Sequence, residues 1–256
     1  MNMDALHWDS EFFGLKVGKV VVDEAENFDP DGFLALAEKG EYSLVYLESH
    51  NNPLPWSSTS RAEIELMDIH MTMEKKLDRS AHADGAYDFR HELTAGELRE
   101  CYRVAERTSI VSRFSEERMV GPAITAAMYR KWVDNALNGS HSDGLFLVKT
   151  EGVVRGIHLI RTVEGFGYFT LTGVDPSCKR AGLGSILWNQ SYAYWSNETD
   201  ISVIRSPFSF RNTESHNFHL KHAFNRVIDV KYIYHYRSGR RLSDAGTDAR
   251  SEESLP

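Results

Sequence analysis

The sequence predicts an α/β (α+β) fold in two parts, and three observations predict it. Residues 145–174 hold three strand-like runs in succession, residues 98–105 and 129–137 carry apolar side chains at helical spacing, and residues 17–47 run strand, helix, strand. A chain of 256 residues with 41% hydrophobic content can bury a sizeable core, so composition favours a folded protein.

The elements follow in order. Residues 17–22 are a β-branched run, 29–38 a short helical candidate and 42–47 a second strand. From 62 to 77 the apolar residues alternate at 62, 64 and 66, then at 69, 71 and 73. The parity slips once, as in a long antiparallel strand with a bulge. Residues 80–87 are small and polar around Gly85 and suggest a link between an N-terminal part, 1–85, and the remainder, 86–237. Leu98, Cys101, Tyr102 and Ala105 predict one amphipathic helix, and Tyr129, Trp132, Val133, Ala136 and Leu137 predict another that stops at Asn138-Gly139. Residues 145–149, 153–160 and 168–174 read as an antiparallel meander with breaks at Glu151-Gly152 and at 164–167. A helix over 185–194, a strand over 201–205, a short helix over 213–222 and a strand over 230–236 complete the pattern, and the polar stretch 238–256 reads as a disordered tail. The strand, helix, strand, strand order of the first part invites comparison with the second as a reduced half.

Net charge is -8, which argues against a broad nucleic-acid surface. Positive charge does gather in the second half at Lys179, Arg180, Arg205, Arg211 and Lys221. Cys101 and Cys178 show neither C-x-x-C nor zinc spacing, which fits plain thiols in a reducing compartment. The N-terminus lacks a basic segment followed by an apolar core, and no run is long enough to span a bilayer, so the expectation is a cytoplasmic protein without a membrane partner.

The stretch "DPSCKRAGLGSILWNQ", residues 175–190, sets two glycines between a strand and a helix. Such a junction makes an anion site, because unpaired N–H groups point outward and glycine lets the backbone approach the ligand. A Walker loop needs lysine after its last glycine, where this chain has Ser185. A dinucleotide loop needs a third glycine and an acidic residue ending the next strand, where this chain has Leu187 and Arg205. The fitting pattern is [QR]-x-x-G-x-[GA], met by Lys179-Arg180-Ala181-Gly182-Leu183-Gly184 with lysine in the first place. This resembles the coenzyme A pyrophosphate loop of the GCN5-related N-acetyltransferases (GNAT). "RNTESHNFHLKHAF", residues 211–224, is similar to the family's later segment through Asn212, Ser215, Phe218, Lys221 and Phe224. Ala223 stands where the family has glycine and His219 where it has tyrosine. "LHWDSEFFGLKVGKV", "SRFSEERM" and "MYRKWVDNALNG" look like the two-part enzymes that acetylate amino-dideoxy sugars on dTDP, the TDP-fucosamine acetyltransferase type.

The resemblance implies a GNAT fold, a mixed and mostly antiparallel sheet flanked by helices, and acetyl transfer from acetyl-CoA to a primary amine without a metal. It implies that main-chain groups of Thr172, Gly173 and Val174 face the thioester and pantetheine, and that Lys179, Arg180, Ala181, Gly182, Leu183, Gly184 and Ser185 hold the pyrophosphate. Asn212 reaches the pantetheine arm, caps the following helix, or does both. His219 takes the place of the tyrosine that protonates the sulfur; an imidazolium with an ordinary pKa near ~6.5 can serve as that acid, or the ring simply packs. Ser112 and Arg113 belong to the segment that covers the acceptor in this fold, and His158, Glu164 and Tyr168 are candidate partners of the amine. His216, His219 and His222 share one helix face, but no carboxylate or cysteine stands at ligand spacing beside them, so metal is not expected. Other amines and a CoA-binding module without catalysis remain open, as does a homodimer.

Overall fold

The computed structural model describes residues 1–55 and 63–239. Its strands are β1 (Asp4–Ala5), β2 (Val17–Val22), β3 (Leu44–His50), β4 (Ile64–Lys76), β5 (Phe89–Arg90), β6 (Gly144–Thr150), β7 (Val153–Val163), β8 (Phe166–Val174), β9 (Val203–Ser209) and β10 (Arg226–Arg237). Its α-helices are α1 (His7–Phe13), α2 (Pro30–Lys39), α3 (Arg79–His82), α4 (Ala95–Thr108), α5 (Arg113–Glu116), α6 (Gly121–Leu137), α7 (Leu183–Glu198) and α8 (Thr213–Lys221). All ten strands form one sheet in the order β1-β2-β3-β10-β4-β9-β8-β7-β6-β5. Its pairs are antiparallel except β2 with β3 and β8 with β9.

Local chemistry explains the elements. Asp29 caps α2 through the N–H groups of Asp31 and Gly32, with Pro30 in the first turn. Thr94 and Glu97 close a capping box on α4, whose Cys101, Val104 and Ala105 face the core. The turns of the β6–β7–β8 meander are Glu151-Gly152 and Glu164-Gly165, and all four residues have positive φ, between 51° and 80°. That is the backbone a two-residue hairpin loop requires. The parity slip in β4 is a bulge at Met67, since Ile233 faces Asp68 while Tyr234 faces Leu66. Arg211 takes up the Met67 carbonyl at 3.2 Å.

The expected boundary near residue 85 falls between α3 and β5, and the sheet crosses it. β4 lies between β9 and β10, and β10 lies between β3 and β4. Outward from that central pair the order is symmetric: β3 and β9 are each antiparallel to the central strand beside them, and their outer neighbours β2 and β8 run parallel to them. One core holds α1, α4 and α6 against β6–β8, a second holds α7 and α8 with Phe224, and a third sits among α2, β2, β3 and β10. The expected tail falls outside the described residues beyond Gly239. No described helix is long and apolar enough to cross a membrane.

Candidate active site

The sheet is split where the site lies. β8 and β9 pair only at Gly167 with Ile204 and Tyr168 with Arg205, and beyond that they part. The cause is visible in β8, where Leu171 faces Leu159 but Phe169 faces Ile160, so Thr170 is an extra residue that bends the strand. β9 meanwhile stays straight against β4 over seven residues. The V between them opens into a cleft of about 1230 Å³, larger than a pocket for one small molecule. Asp175 N–H bonds to the Arg155 carbonyl at 2.7 Å. Antiparallel alternation then turns the main chain of Gly173 toward β7, against the expectation that it faces the thioester, and that of Thr172 and Val174 toward the open side. Gly173 has its own reason to be glycine: a Cβ there would stand 2.4 Å from Thr108 Oγ1, so α4 packs directly on the strand.

The glycine loop forms the foot of the V. Arg180 and Gly182 are left-handed, with φ of 64° and 80°, and α7 starts at Leu183 without a side-chain cap. Its first N–H groups have no acceptor within the helix. The Ser185 hydroxyl is engaged with His222 Nε2 at 2.9 Å, and a Cβ on Gly184 would come within 3.0 Å of Phe218. Lys179 reaches Glu214 at 2.9 Å, and both are exposed. The approach is fixed by Asp175, fully buried, which accepts from Ser177 N–H at 3.0 Å, Ser177 Oγ at 2.8 Å and Arg107 at 2.7 Å. Burial alone would raise its pKa, but these donors hold it down to about 2. Not all the positive charge gathers here. Arg205 pairs with Glu74 and Tyr168, and Arg211 pairs with Glu116 and the Met67 carbonyl.

The opposite wall comes from the three aromatic segments singled out in the sequence. Trp8 and Asp9 of α1, Ser112 and Arg113 at the start of α5, and Tyr129 and Trp132 of α6 all line the cleft. Ser112 accepts from Phe114 N–H, and Arg113 lies over the rings of Tyr46 and Phe114 with its guanidinium 2.8 Å from His235 Nε2. Asp9 accepts from the Tyr46 hydroxyl at 3.0 Å, and burial raises its pKa. Asp68 and His70, next to the bulge, line the same space, 3.1 Å apart. Arg107, Asp68, His70, Asp9 and Ser206 were not picked out individually from sequence; Asp9 lies in the quoted segment 6–20 and Asp68 follows the parity slip, and the others carried no signal.

Asn212 lines the cleft and caps α8 through Oδ1 to Ser215 N–H at 3.0 Å, which leaves the amide nitrogen as the end the cap does not use. Three expectations need correction. His219 does line the cleft, but its resting form is a neutral imidazole and not an imidazolium. Its Nδ1 is 2.7 Å from the Ser215 carbonyl, which can only accept, so the proton sits on Nδ1. Nε2 then accepts a hydrogen bond from the Ser206 hydroxyl at 2.7 Å, and burial lowers the pKa to about 4. His158 is fully buried on the side of the sheet packed by Phe146, Phe169 and Trp188, with Nδ1 2.9 Å from Thr172 Oγ1 and its pKa pushed to about 3 by burial. It touches no open space. Tyr168 accepts from Arg205 at 3.1 Å at the closed end of the V, and Glu164 sits in the hairpin turn; neither lines the cleft. His216, His219 and His222 diverge: His219 turns to Ser206 and His222 to Ser185. Among the described residues no group of three or more His, Cys, Asp or Glu is placed to hold a metal.

No family model and no curated protein sequence matches the chain. Solved structures do. A conserved protein of unknown function from Staphylococcus epidermidis superposes with a TM-score of 0.62 at 9% identity, covering 87% of this chain and 84% of that one. A GCN5-related N-acetyltransferase from Sphaerobacter thermophilus gives 0.55 at 14% identity, over 94% of this chain and 78% of that one. The likeness is one of fold: this is a GNAT fold, with a mixed, mostly antiparallel sheet flanked by helices.

Proposed function

We propose that the protein transfers an acetyl group from acetyl-CoA directly to a primary amine, carried by a nucleotide-linked deoxyaminosugar. The observation that carries this reading is the open V between β8 and β9 with an uncapped helix start at its foot. A pantetheine arm can continue the sheet along the free edge at Thr172 and Val174, while the N–H groups of Arg180 and of Gly182 to Ser185 take the pyrophosphate, that of Ala181 being held by the Cys178 carbonyl at 3.3 Å. Val174 N–H then stands where the oxyanion of the tetrahedral intermediate develops, and a fixed donor there lowers the barrier without reorganisation. Direct transfer fits Cys101, which is buried in α4 with its thiol pushed up to about 12 by burial, while Cys178 lines the cleft on the approach to the glycine loop.

The acceptor side supports a sugar. Flat rings of Trp8, Tyr129 and Trp132 offer stacking surface, Asp9 offers a carboxylate to the amine, and Arg113 offers a cation toward a diphosphate. The test is thiol release from acetyl-CoA over a panel of amines that includes dTDP-4-amino sugars, amino acids, polyamines and aminoglycosides. Release that depends on the nucleotide sugar is the expected result. Release with another amine in its place overturns the acceptor, and binding of acetyl-CoA without release to any amine overturns the enzyme.

A further inference from the structure

The cleft wall contains a polar pair where the pattern calls for apolar residues. Along β9 the buried face reads Ile204, Ser206, Phe208, so a serine occupies the middle of an otherwise hydrophobic stripe. Opposite it, the buried residue of α8 is His219. Ser206 and His219 are only 3% exposed, yet both line the cleft rather than the sealed core. The hydrogen-bond direction is fixed: Ser206 O–H donates to His219 Nε2 at 2.7 Å, and His219 Nδ1–H donates to the Ser215 carbonyl at 2.7 Å. Phe208 at 4.2 Å and Trp188 at 5.0 Å hold the imidazole in place.

The carboxylates that line the cleft each already hold a partner. Asp68 accepts from Ile69 N–H and Ser209 Oγ and lies 3.1 Å from His70, Asp9 accepts from Tyr46, and Glu214 holds Lys179. The Ser206 oxygen still has lone-pair capacity toward the cleft, and behind it stands a neutral imidazole that accepts a proton.

We propose that Ser206 and His219 form a proton relay that carries the amine proton to the leaving sulfur. The proposal rests on the acetyl-transfer reading above. The amine arrives neutral and its nitrogen bonds to the thioester carbon. The amine proton passes to Ser206 Oγ as the Ser206 proton passes to His219 Nε2. When the tetrahedral intermediate collapses, the carbon–sulfur bond breaks, and the imidazolium returns the proton through Ser206 to the thiolate. Amide and free thiol leave, and Ser206 and His219 are restored. Ser206 touches the reacting atoms, while His219 acts through it. This arrangement supplies both proton steps without the tyrosine whose place His219 occupies, and one relay is economical because the proton removed is the proton needed.

The test uses the full chain with the amine that gives release in the panel. Ser206→Ala and His219→Gln are measured for kcat, KM and acetyl-CoA affinity, with thermal melting as a check of folding. The glutamine oxygen can still accept from Ser206 but is not basic, so a clip that only holds α8 to β9 survives His219→Gln and a relay does not. Each variant is expected to lose about 10²-fold in kcat with acetyl-CoA affinity unchanged, a typical share for proton transfer. The double variant is expected to be no slower than either single one, since groups that act as a unit are not additive. A folded Ser206→Ala within twofold of the parent kcat overturns the relay and leaves acetyl transfer intact. A parent protein that does not bind acetyl-CoA overturns the underlying reading instead.

Discussion

Gly182 has a φ of 80° with nothing within 4 Å of where a Cβ would stand, so alanine there meets only backbone strain. Gly182→Ala is expected to lower stability by about 1 kcal/mol and, by moving the N–H groups beside it, to weaken acetyl-CoA by about tenfold. Chemical denaturation and calorimetry separate the two effects. Asp175 carries a pH dependence of its own. Its folded pKa of about 2 lies below the unfolded value of 3.8, so its contribution, about 2 kcal/mol, is complete above about pH 5 and is lost as the pH falls toward 2. Asp175→Asn should therefore be less stable than the parent at pH 7 and should converge with it in urea melts below pH 3. A gap between the two proteins that stays constant from pH 7 to pH 3 contradicts this assignment.

At the scale of elements, the cleft depends on how closely α4 sits on β8. Gly173→Ala would put a methyl 2.4 Å from Thr108 Oγ1 and 3.2 Å from Val104. Overpacking of this kind costs about 1–3 kcal/mol. Gly173→Ala with Thr108→Ala is expected to recover part of that loss in urea unfolding, and no recovery would place the strain elsewhere. These elements were readable to different degrees. The Met67 bulge showed in the sequence because a slipped alternation is a local signal, and the two Glu-Gly turns showed because positive φ at paired positions favours glycine. The parting of β8 from β9 did not, since it depends on which strand each one pairs with, and alternation reports a face and not a partner. His158 was misassigned for a related reason. On a strand packed on both faces by helices, neighbouring residues are all buried, and Ile157, His158 and Leu159 give no sign of which face meets the cleft. The resting protonation of His219 was not legible in the sequence, because the Ser206 partner that helps decide it comes from β9.

At the scale of the whole molecule, the symmetric sheet poses the question of how many sites there are. On the N-terminal side β2 and β3 remain paired over six residues, against two for β8 and β9, so no V opens there. The helix between them differs in the same sense: Asp29 places its own carboxylate at the start of α2, while the start of α7 is left uncapped. On the proposed reading, one half supplies the frame and the other the anion site. The halves also interleave: β4 of the first part lies between β10 and β9 of the second, and β10 of the second lies between β3 and β4 of the first. A fragment of residues 86–237 would lack β3 and β4, which flank β10 on either side, so it is expected to be unfolded by circular dichroism, whereas the full chain should unfold in one transition seen alike by tryptophan fluorescence and circular dichroism. Isothermal titration with acetyl-CoA tests the central claim most directly. The fold and the one open cradle among the described residues predict one molecule bound per chain, with affinity that falls as salt rises; no heat of binding, or two equivalents per chain, would contradict it.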